Sequence, residues 1–227
     1  PSGRPSVLTD ALSRTVSFGY DAADRVTTQT LANSQVTGLG YDANSNVTSL
    51  TPPGRPAHAF TFTPINQTSS YIPPVVSGTG PTGYVFNVDR QPTEVQRPDG
   101  HTTTFTYSEP SGRLTSVGFS RNSQPATLAY GYDDAGRLSA LNGSGGVNLS
   151  FTYDGRLPLS ETWSGDVTGT VSRTFTNNFD LSTESVNGAH AVTFGYDDDL
   201  LLTSAGALTI TRDPTNGLVT ETVVGVT

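Results

Sequence analysis

A pair of aromatic residues separated by one residue returns along this chain every 21 to 25 residues, and this period constrains the fold more than any other feature. The second aromatic falls at Tyr20, Tyr41, Phe62, Phe86, Tyr107, Tyr132 and Tyr153, and the pair returns at Phe194 and Tyr196. Weaker copies are Phe175-Thr176-Asn177 and Leu208-Thr209-Ile210. Residues 1–227 are therefore predicted to form a single array of roughly ten repeated units.

Each unit has the pattern of a β-hairpin. In Phe105-Thr106-Tyr107 the two aromatic residues stand at i and i+2, so they share one face of a strand while Thr106 points to the other face. An aspartate after the second aromatic can accept backbone N–H groups in the turn, and a glycine a few residues later can take the positive φ that closes it. The second strand then opens with Leu or Val, as at Leu114 and Leu138.

The connections between units carry their own turn signals. Residue pairs that favour tight turns are Asp99-Gly100, Asn142-Gly143, Asn187-Gly188 and Asn216-Gly217. A single hairpin is marginally stable in water, so each unit must pair with its neighbours and pack its aromatic face against theirs. The fold class predicted is all-β, with the hairpins joined in one long antiparallel sheet.

Composition excludes several other classes of protein. Only 33% of residues are hydrophobic, whereas Gly (24) and Pro (15) are abundant, which favours many short strands over a helical bundle. The net charge of -8 argues against a nucleic-acid partner. All 12 basic residues are arginine, so the cations suit planar, stacking contacts, although genome composition explains the bias equally well. The absence of cysteine excludes disulfides and thiolate chemistry, and no apolar run is long enough to span a bilayer.

The chain offers little that resembles an active site. His58, His101 and His190 are isolated in sequence, and Asp197-Asp198-Asp199 lacks the remaining ligands of a calcium loop. No catalytic, metal-binding or cofactor-binding residue is predicted, and no cofactor is expected. Trp163 is the one candidate for ligand contact, as a sugar-stacking platform, but packing on its strand is the favoured interpretation.

Repetition itself argues that the aspartates and arginines are structural, because an active site is built once whereas a structural device recurs in every unit. We expect each aspartate to cap its turn and each arginine to lie against an aromatic ring of its own or an adjacent repeat. The predicted structural positions are Tyr20, Asp21, Arg25, Tyr41, Asp42, Phe62, Phe86, Tyr107, Arg113, Tyr132, Asp133, Gly136, Arg137, Tyr153, Asp154, Arg156, Tyr196 and Asp197.

One segment breaks the period. Between Tyr71 and Thr82 the chain carries Pro73-Pro74 and Ser77-Gly78-Thr79-Gly80-Pro81, which cannot form a regular central strand. The segment near 71–82 is therefore predicted to be a long surface connection, and it is the place to look for a specialised contact, since rigid scaffolds carry variable function on loops.

Several copies of the unit closely resemble the Rhs or YD repeat, whose usual form is Tyr-Asp, a short glycine-containing turn, Arg and Leu. The matching segments are Tyr20-Asp21-Ala22-Ala23-Asp24-Arg25-Val26, Tyr132-Asp133-Asp134-Ala135-Gly136-Arg137-Leu138 and Tyr153-Asp154-Gly155-Arg156-Leu157. The resemblance extends from about residue 15 to about residue 222. It implies a curved sheet that forms an open or partial spiral shell, as in bacterial Rhs toxins, the cocoon component of insecticidal toxin complexes and the teneurins.

The resemblance also implies a function and partners. A shell segment of a secreted or surface-exposed bacterial protein would contact neighbouring repeats of a longer parent chain and an enclosed toxin domain, without catalysis. The chain is far shorter than a complete shell of this kind, so we expect it to be a fragment of a larger protein. Two alternatives are an adhesion module that binds carbohydrate or protein, and self-assembly into a homo-oligomer through exposed sheet edges.

Overall fold

The computed structural model describes residues 3–75, 79–121 and 124–225, and every regular element in these ranges is a β-strand. The chain divides into two compact units. The first contains the described residues of Pro1–Thr106 and Gly118–Pro125, and the second those of Tyr107–Val117 and Ala126–Thr227. Nothing in the described part is a helix of the length and apolarity that crossing a membrane requires.

In the first unit each strand pairs antiparallel with the next one along the chain, from β1 through β10. The strands are β1 Val7–Thr9, β2 Thr15–Tyr20, β3 Val26–Thr30, β4 Val36–Tyr41, β5 Val47–Thr51, β6 His58–Phe62, β7 Thr68–Ile72, β8 Thr82–Phe86, β9 Pro92–Gln96 and β10 Thr102–Tyr107. The following strand, β11 Leu114–Arg121, contributes residues to both units.

In the second unit the same antiparallel pairing runs from β12 through β21. Its strands are β12 Gln124–Tyr132, β13 Leu138–Gly143, β14 Val147–Asp154, β15 Leu157–Gly165, β16 Gly169–Phe175, β17 Leu181–Val186, β18 Ala189–Tyr196, β19 Leu202–Ala205, β20 Leu208–Arg212 and β21 Val219–Val224. The predicted all-β fold of antiparallel hairpins is confirmed.

The two faces of the sheet differ in chemistry. Tyr20 lies opposite Val26 and Phe18 lies two residues before Tyr20, so these apolar side chains share one face. Gly19 lies opposite Thr28 on the other face, where a side chain at Gly19 would meet the Thr28 hydroxyl. No described residue is fully withdrawn from solvent, so the apolar face is half-buried rather than covered by a second layer.

Hydroxyl groups occupy the face opposite the aromatic pairs. Where a threonine stands between two aromatics, it bonds across to the neighbouring strand: the Thr61 hydroxyl lies 2.8 Å from that of Ser69 and 2.7 Å from that of Ser70. The same contact joins Thr152 to Ser160 at 2.6 Å. The residue between the aromatics is therefore small or hydroxyl-bearing where it packs against Ser and Thr side chains, and the exception, Val85, lies opposite Glu94.

A β-bulge recurs in the hairpins, between the middle residue of the aromatic pair and the second aromatic. The bulges lie at Gly19/Tyr20, Gly40/Tyr41, Thr61/Phe62, Val85/Phe86, Gly131/Tyr132, Thr152/Tyr153, Thr174/Phe175, Gly195/Tyr196 and Thr211/Arg212. A bulge bends its strand and redirects the side chain beside it. The bulge thereby changes the direction of the side chain at each second aromatic position.

The positions of the bulges change the alignment of two weak copies of the repeat. Phe175 lies at the bulge and therefore occupies the second aromatic position, and Arg173 occupies the first. In the last hairpin Arg212 takes the second position, so Leu208-Thr209-Ile210 was aligned two residues too early. Neither copy has an aromatic pair, and the alignment therefore depends on the bulge and the turn that follows it.

One of the four predicted turns is wrong, and the ends of the predicted connection near 71–82 lie in strands, since Tyr71 and Ile72 belong to β7 and Thr82 to β8. Asn142 and Gly143 lie inside β13, where Asn142 pairs with Ala129 and Asn148, because the ladder with β12 continues to its end; the turn follows at Ser144-Gly145. Asp99-Gly100, Asn187-Gly188 and Asn216-Gly217 do lie at turns. Residues 73–75 and 79–81 form no strand, and the rest of that predicted loop, 76–78, is outside the described residues.

Candidate functional site

The turn of each complete repeat is held by its aspartate. Asp21 Oδ1 accepts the backbone N–H groups of Ala23 at 2.9 Å and Arg25 at 3.0 Å. Asp21 Oδ2 accepts Arg25 Nε at 2.7 Å. One carboxylate thus satisfies two backbone donors and fixes the arginine stem, which is an Asx-type cap with an added ion pair.

The same cap recurs with different side chains. Asp133 accepts the backbone N–H of Arg137 at 2.9 Å and its Nε at 2.7 Å. At Asp42 the partner is Asn46, whose Nδ2 donates at 2.8 Å. Asp197 caps its turn through backbone bonds alone, since Leu201 stands at the position of the arginine. We call the residue immediately before the second strand of each repeat the arginine position.

These contacts lower the pKa of several aspartates. The backbone N–H of Arg25, opposed by partial desolvation and helped by the guanidinium, holds the pKa of Asp21 below its usual value. The pKa of Asp133 is lowered in the same way by Arg137, and that of Asp42 by the side chain of Asn46. The pKa values of Asp10 and Asp99 are lowered as well, mainly by backbone hydrogen bonds.

These shifts predict stability that is lost in acid. A carboxylate whose pKa is lower in the folded chain stabilises the fold above its unfolded pKa, and this contribution disappears as the pH falls through the folded pKa. We expect the melting temperature to be level near neutral pH and to fall below about pH 4. The double variant Asp21→Asn, Asp133→Asn should flatten this fall in thermal melts followed by circular dichroism; an unchanged slope would contradict the role of the caps.

The guanidinium of Arg25 bonds to Asp21 in its own turn and also extends to the next hairpin. The Arg25 guanidinium carbon lies 4.7 Å from the centroid of the Tyr41 ring, in cation–π geometry. The Tyr41 hydroxyl donates back to the carbonyl of Val26 at 2.8 Å. Arg25 Nη1 reaches on to the Asp42 carbonyl at 2.7 Å and to the Ser45 hydroxyl at 3.2 Å. We call such a pair of an arginine and the following tyrosine a rung.

The second unit repeats the rung. Arg113 stacks on Tyr132 at 5.5 Å and Arg137 stacks on Tyr153 at 4.7 Å. The hydroxyls of the two tyrosines donate to the carbonyls of Leu114 at 2.8 Å and Leu138 at 2.7 Å. A cation–π contact and a hydrogen bond of this kind together contribute about 2 kcal/mol. Where they occur, the rungs therefore couple one hairpin to the next independently of the backbone ladder.

The bulge explains how the tyrosine reaches backwards. The carbonyl that accepts the hydroxyl belongs to the residue after the arginine position, as at Val26, near the start of the second strand. The ladder between β3 and β4 begins at Thr28 with Gly38, two residues later, so backbone pairing does not extend to Val26. The redirected phenol of Tyr41 supplies the donor there, so the half-buried carbonyl of Val26 has a partner.

Two further contacts between hairpins were not predicted from the sequence. Arg4 lies 4.6 Å from the Tyr20 ring centroid and pairs with Asp24, and the Tyr20 hydroxyl donates to the Pro5 carbonyl at 2.7 Å. Gly3-Arg4-Pro5 has the same Gly-Arg start as Gly112-Arg113-Leu114, a signal that could have revealed it. At the other end Arg212 replaces the tyrosine and donates through Nε to the Leu202 carbonyl at 3.2 Å.

Amide side chains substitute for arginine in part of the first unit. Asn46 Nδ2 donates to the side-chain oxygen of Asn66 in the next turn at 2.9 Å. Gln67 Nε2 donates to the carbonyl of Arg90 at 3.0 Å, again in the next turn. The forward contact is therefore kept where the guanidinium is absent, because any donor of suitable length can bridge two neighbouring turns.

Several predicted positions depart from the complete rung. Asp154 lies in β14 opposite Leu157, and the turn consists of Gly155 and Arg156 only, so this shorter loop has no room for the four-residue cap. Phe62 and Phe86 keep the ring position but have no hydroxyl. At Tyr107 burial raises the pKa of the phenol. The Tyr196 hydroxyl donates to the Leu181 carbonyl at 3.1 Å.

The remaining candidates form no reactive cluster. Trp163 is half-buried in β15, between Leu149 and Gly169 on the flanking strands, so its role in sugar contact stays a prediction. His58 Nδ1 lies 2.7 Å from the Tyr71 hydroxyl, and His101 Nδ1 lies 3.2 Å from Asp99 Oδ2. Within the described ranges no three His, Asp or Glu side chains stand close enough together to hold a metal ion.

Comparison with known proteins agrees with the repeat geometry. The family model for the Rhs repeat matches residues 1–34 and 20–57. A Photorhabdus luminescens Tc holotoxin pore structure is similar over 94% of this chain, at 12% identity and a TM-score of 0.53. A TcdB2-TccC3-Cdc42 crystal structure is similar over 89%, at 16% identity and a TM-score of 0.57. The chain spans 12% of the length of each of these two chains. No curated protein matches it.

The family model covers only the first hairpins, but the features found there recur beyond it: rungs as far as Tyr153, turn caps as far as Asp197 and bulges as far as Arg212. Arg137 with Tyr153, far beyond the matched residues, reproduces the contacts of Arg25 with Tyr41. The Tc toxin structures share the fold of antiparallel hairpins over nearly the whole length. Residues 1–57 are thus similar to the Rhs repeat, and nearly the whole chain shares its fold with the Tc toxin structures.

Proposed function

We propose that this chain is a wall segment of a larger secreted or surface-exposed protein shell, which encloses or presents a toxic effector domain. The observation that carries the proposal is the rung, which joins successive hairpins through side chains as well as backbone. A wall needs this kind of coupling, because a sheet of the described kind has no second layer to stabilise it. The segment itself is proposed to have no catalytic role.

The exposed edge of β21 supports the same proposal. All six residues of this strand are exposed, including Val223 at 49% and Val224 at 71%. An exposed edge strand without proline or lysine is prone to pairing with another strand. In the proposed wall, a neighbouring repeat of the parent chain covers this edge; in an isolated segment, a second copy would do so.

Protease protection tests the proposal in the parent protein. The parent protein is expressed in full and digested mildly. An immunoblot then monitors the region C-terminal to this segment. We expect that region to survive in the wild type and to be digested faster when Tyr132→Ala and Tyr153→Ala weaken the wall. His101→Ala serves as the control and should leave protection unchanged. Digestion of the wild-type region at the rate of the free polypeptide would contradict enclosure.

A further inference from the structure

Two arginine positions in the first unit hold an amide residue and are followed by a phenylalanine: Asn46 by Phe62, and Gln67 by Phe86. Gln67 stands at the arginine position, and Phe86 provides the ring in the following hairpin. The Gln67 amide is occupied with the Arg90 carbonyl at 3.0 Å. Because Phe86 has no hydroxyl, it cannot donate to the carbonyl of Thr68, as Tyr41 donates to Val26. This rung therefore lacks both the guanidinium and the phenolic donor.

Thr68 makes the apolar face beside this pair less bulky and more polar. It follows the arginine position and lies opposite Phe62. The residues that occupy the equivalent place elsewhere are apolar: Val26, Val47, Pro92, Leu114, Leu138, Leu181, Leu202 and Val219. Threonine fills less of the apolar face than leucine, and its hydroxyl and carbonyl both offer an acceptor.

A cleft opens at this position. It has a volume of about 550 Å³ and is lined by Phe60, Gln67, Thr68, Tyr71, Tyr84 and Phe86, all within the first unit. The Phe60 and Tyr71 rings stand 5.4 Å apart and are tilted by 34°. A volume of several hundred Å³ lined by aromatic rings and a few polar groups is typical of ligand sites.

The chemistry of the lining indicates what the cleft accepts. None of the six lining residues is charged, and their four aromatic rings present electron-rich faces, which attract cations. In the complete rungs the corresponding ring stacks under a guanidinium at 4.6 to 5.5 Å. A guanidinium also supplies several N–H donors for the Thr68 carbonyl and hydroxyl, and the chain as a whole carries a charge of -8.

We propose that this cleft binds an arginine side chain of a partner polypeptide, which supplies the guanidinium that the Gln67–Phe86 rung lacks. The partner arginine stacks against the aromatic lining and donates to Thr68. It thereby makes the kind of contact that Arg25 and Arg137 make within the chain. Binding of an arginine at this cleft does not depend on whether the parent shell encloses an effector.

Titration with small probes tests the charge requirement. N-acetyl-arginine amide is added to the purified chain, and the aromatic resonances of the cleft are followed by NMR. We expect saturable shifts with this probe and none with N-acetyl-citrulline amide, which has nearly the same shape without the charge. Equal binding of the citrulline probe, or binding of methyl glucoside in place of the arginine probe, would overturn the proposal.

A rung-restoring variant tests the location. Gln67→Arg places a guanidinium in the cleft from within the chain, and it should weaken binding of the arginine probe at least about tenfold without lowering the melting temperature. The matched control is Asn46→Arg, which makes the same kind of change one hairpin earlier, outside the cleft lining, and should leave probe affinity unchanged. Undiminished binding in Gln67→Arg, or equal loss in both variants, would overturn the assignment.

Discussion

Tyr132→Ala is expected to lower the free energy of unfolding by about 3 kcal/mol. The substitution removes three contributions together: the packing of the ring on the apolar face, the stacking of Arg113 at 5.5 Å and the hydrogen bond to the Leu114 carbonyl at 2.8 Å. Thermal unfolding followed by circular dichroism measures the loss. For a chain of this size the expected decrease in Tm is about 6 to 12 °C.

Two further variants separate these contributions. Tyr132→Phe keeps the ring and loses only the hydroxyl, so it should cost about 1 kcal/mol. His101→Ala removes a partly exposed side chain whose nearest charged partner is Asp99, and it should cost less than about 1 kcal/mol. Equal decreases in Tm for Tyr132→Ala and His101→Ala would show that the tyrosine position has no special part in coupling the hairpins.

Gly136→Val is expected to cost about 3 kcal/mol for two separate reasons. Gly136 has a φ of 80°, in the left-handed region that a β-branched residue adopts only with strain. A Cβ at this position would also overlap the guanidinium of Arg113, which would have to leave the Tyr132 ring. The substitution therefore strains one turn and breaks the rung that joins it to the preceding hairpin.

Gly100→Val provides a matched control for the strain alone. Gly100 has the same φ of 80°, and a Cβ there would meet nothing within 4 Å. We expect this variant to cost about 1 to 2 kcal/mol. Urea unfolding gives both values, and their difference measures the displacement of Arg113. Identical losses would mean that the stacked arginine contributes nothing to stability.

The two requirements of a rung explain how the repeat can vary in sequence without losing its geometry. Each rung needs a donor that bridges to the next turn and a group that donates back to a carbonyl, and residues other than arginine and tyrosine can meet either need. Asn46 and Gln67 bridge as amides, and Arg212 donates to Leu202 where other repeats use a phenol. The Gln67–Phe86 pair meets only the first need, through Gln67, and we propose that its cleft accepts the arginine of a partner.

Local patterns predicted most of the hairpin. The aromatic pairs lie on strands, Gly136 has positive φ, and second strands open at Val26, Leu114 and Leu138 as expected. These features depend on residues within a few positions of one another, so their chemistry is visible in the sequence. The failures, such as Asn142-Gly143 and the phase of Phe175, arise where a ladder with another strand overrides a local turn or aromatic signal.

The sequence by itself determined the class of fold, the period and the caps, because strand alternation and turn chemistry act over short distances. Only the tertiary structure decided that Arg25 stacks on the ring of the next hairpin, Tyr41, since both its own and an adjacent ring satisfied the pattern. The bulge is the cause, because it redirects the tyrosine toward the preceding hairpin. The position of the bulge depends in turn on the register between paired strands. The cleft beside Phe86 follows from the same geometry, because three strands must pair before its rings come together.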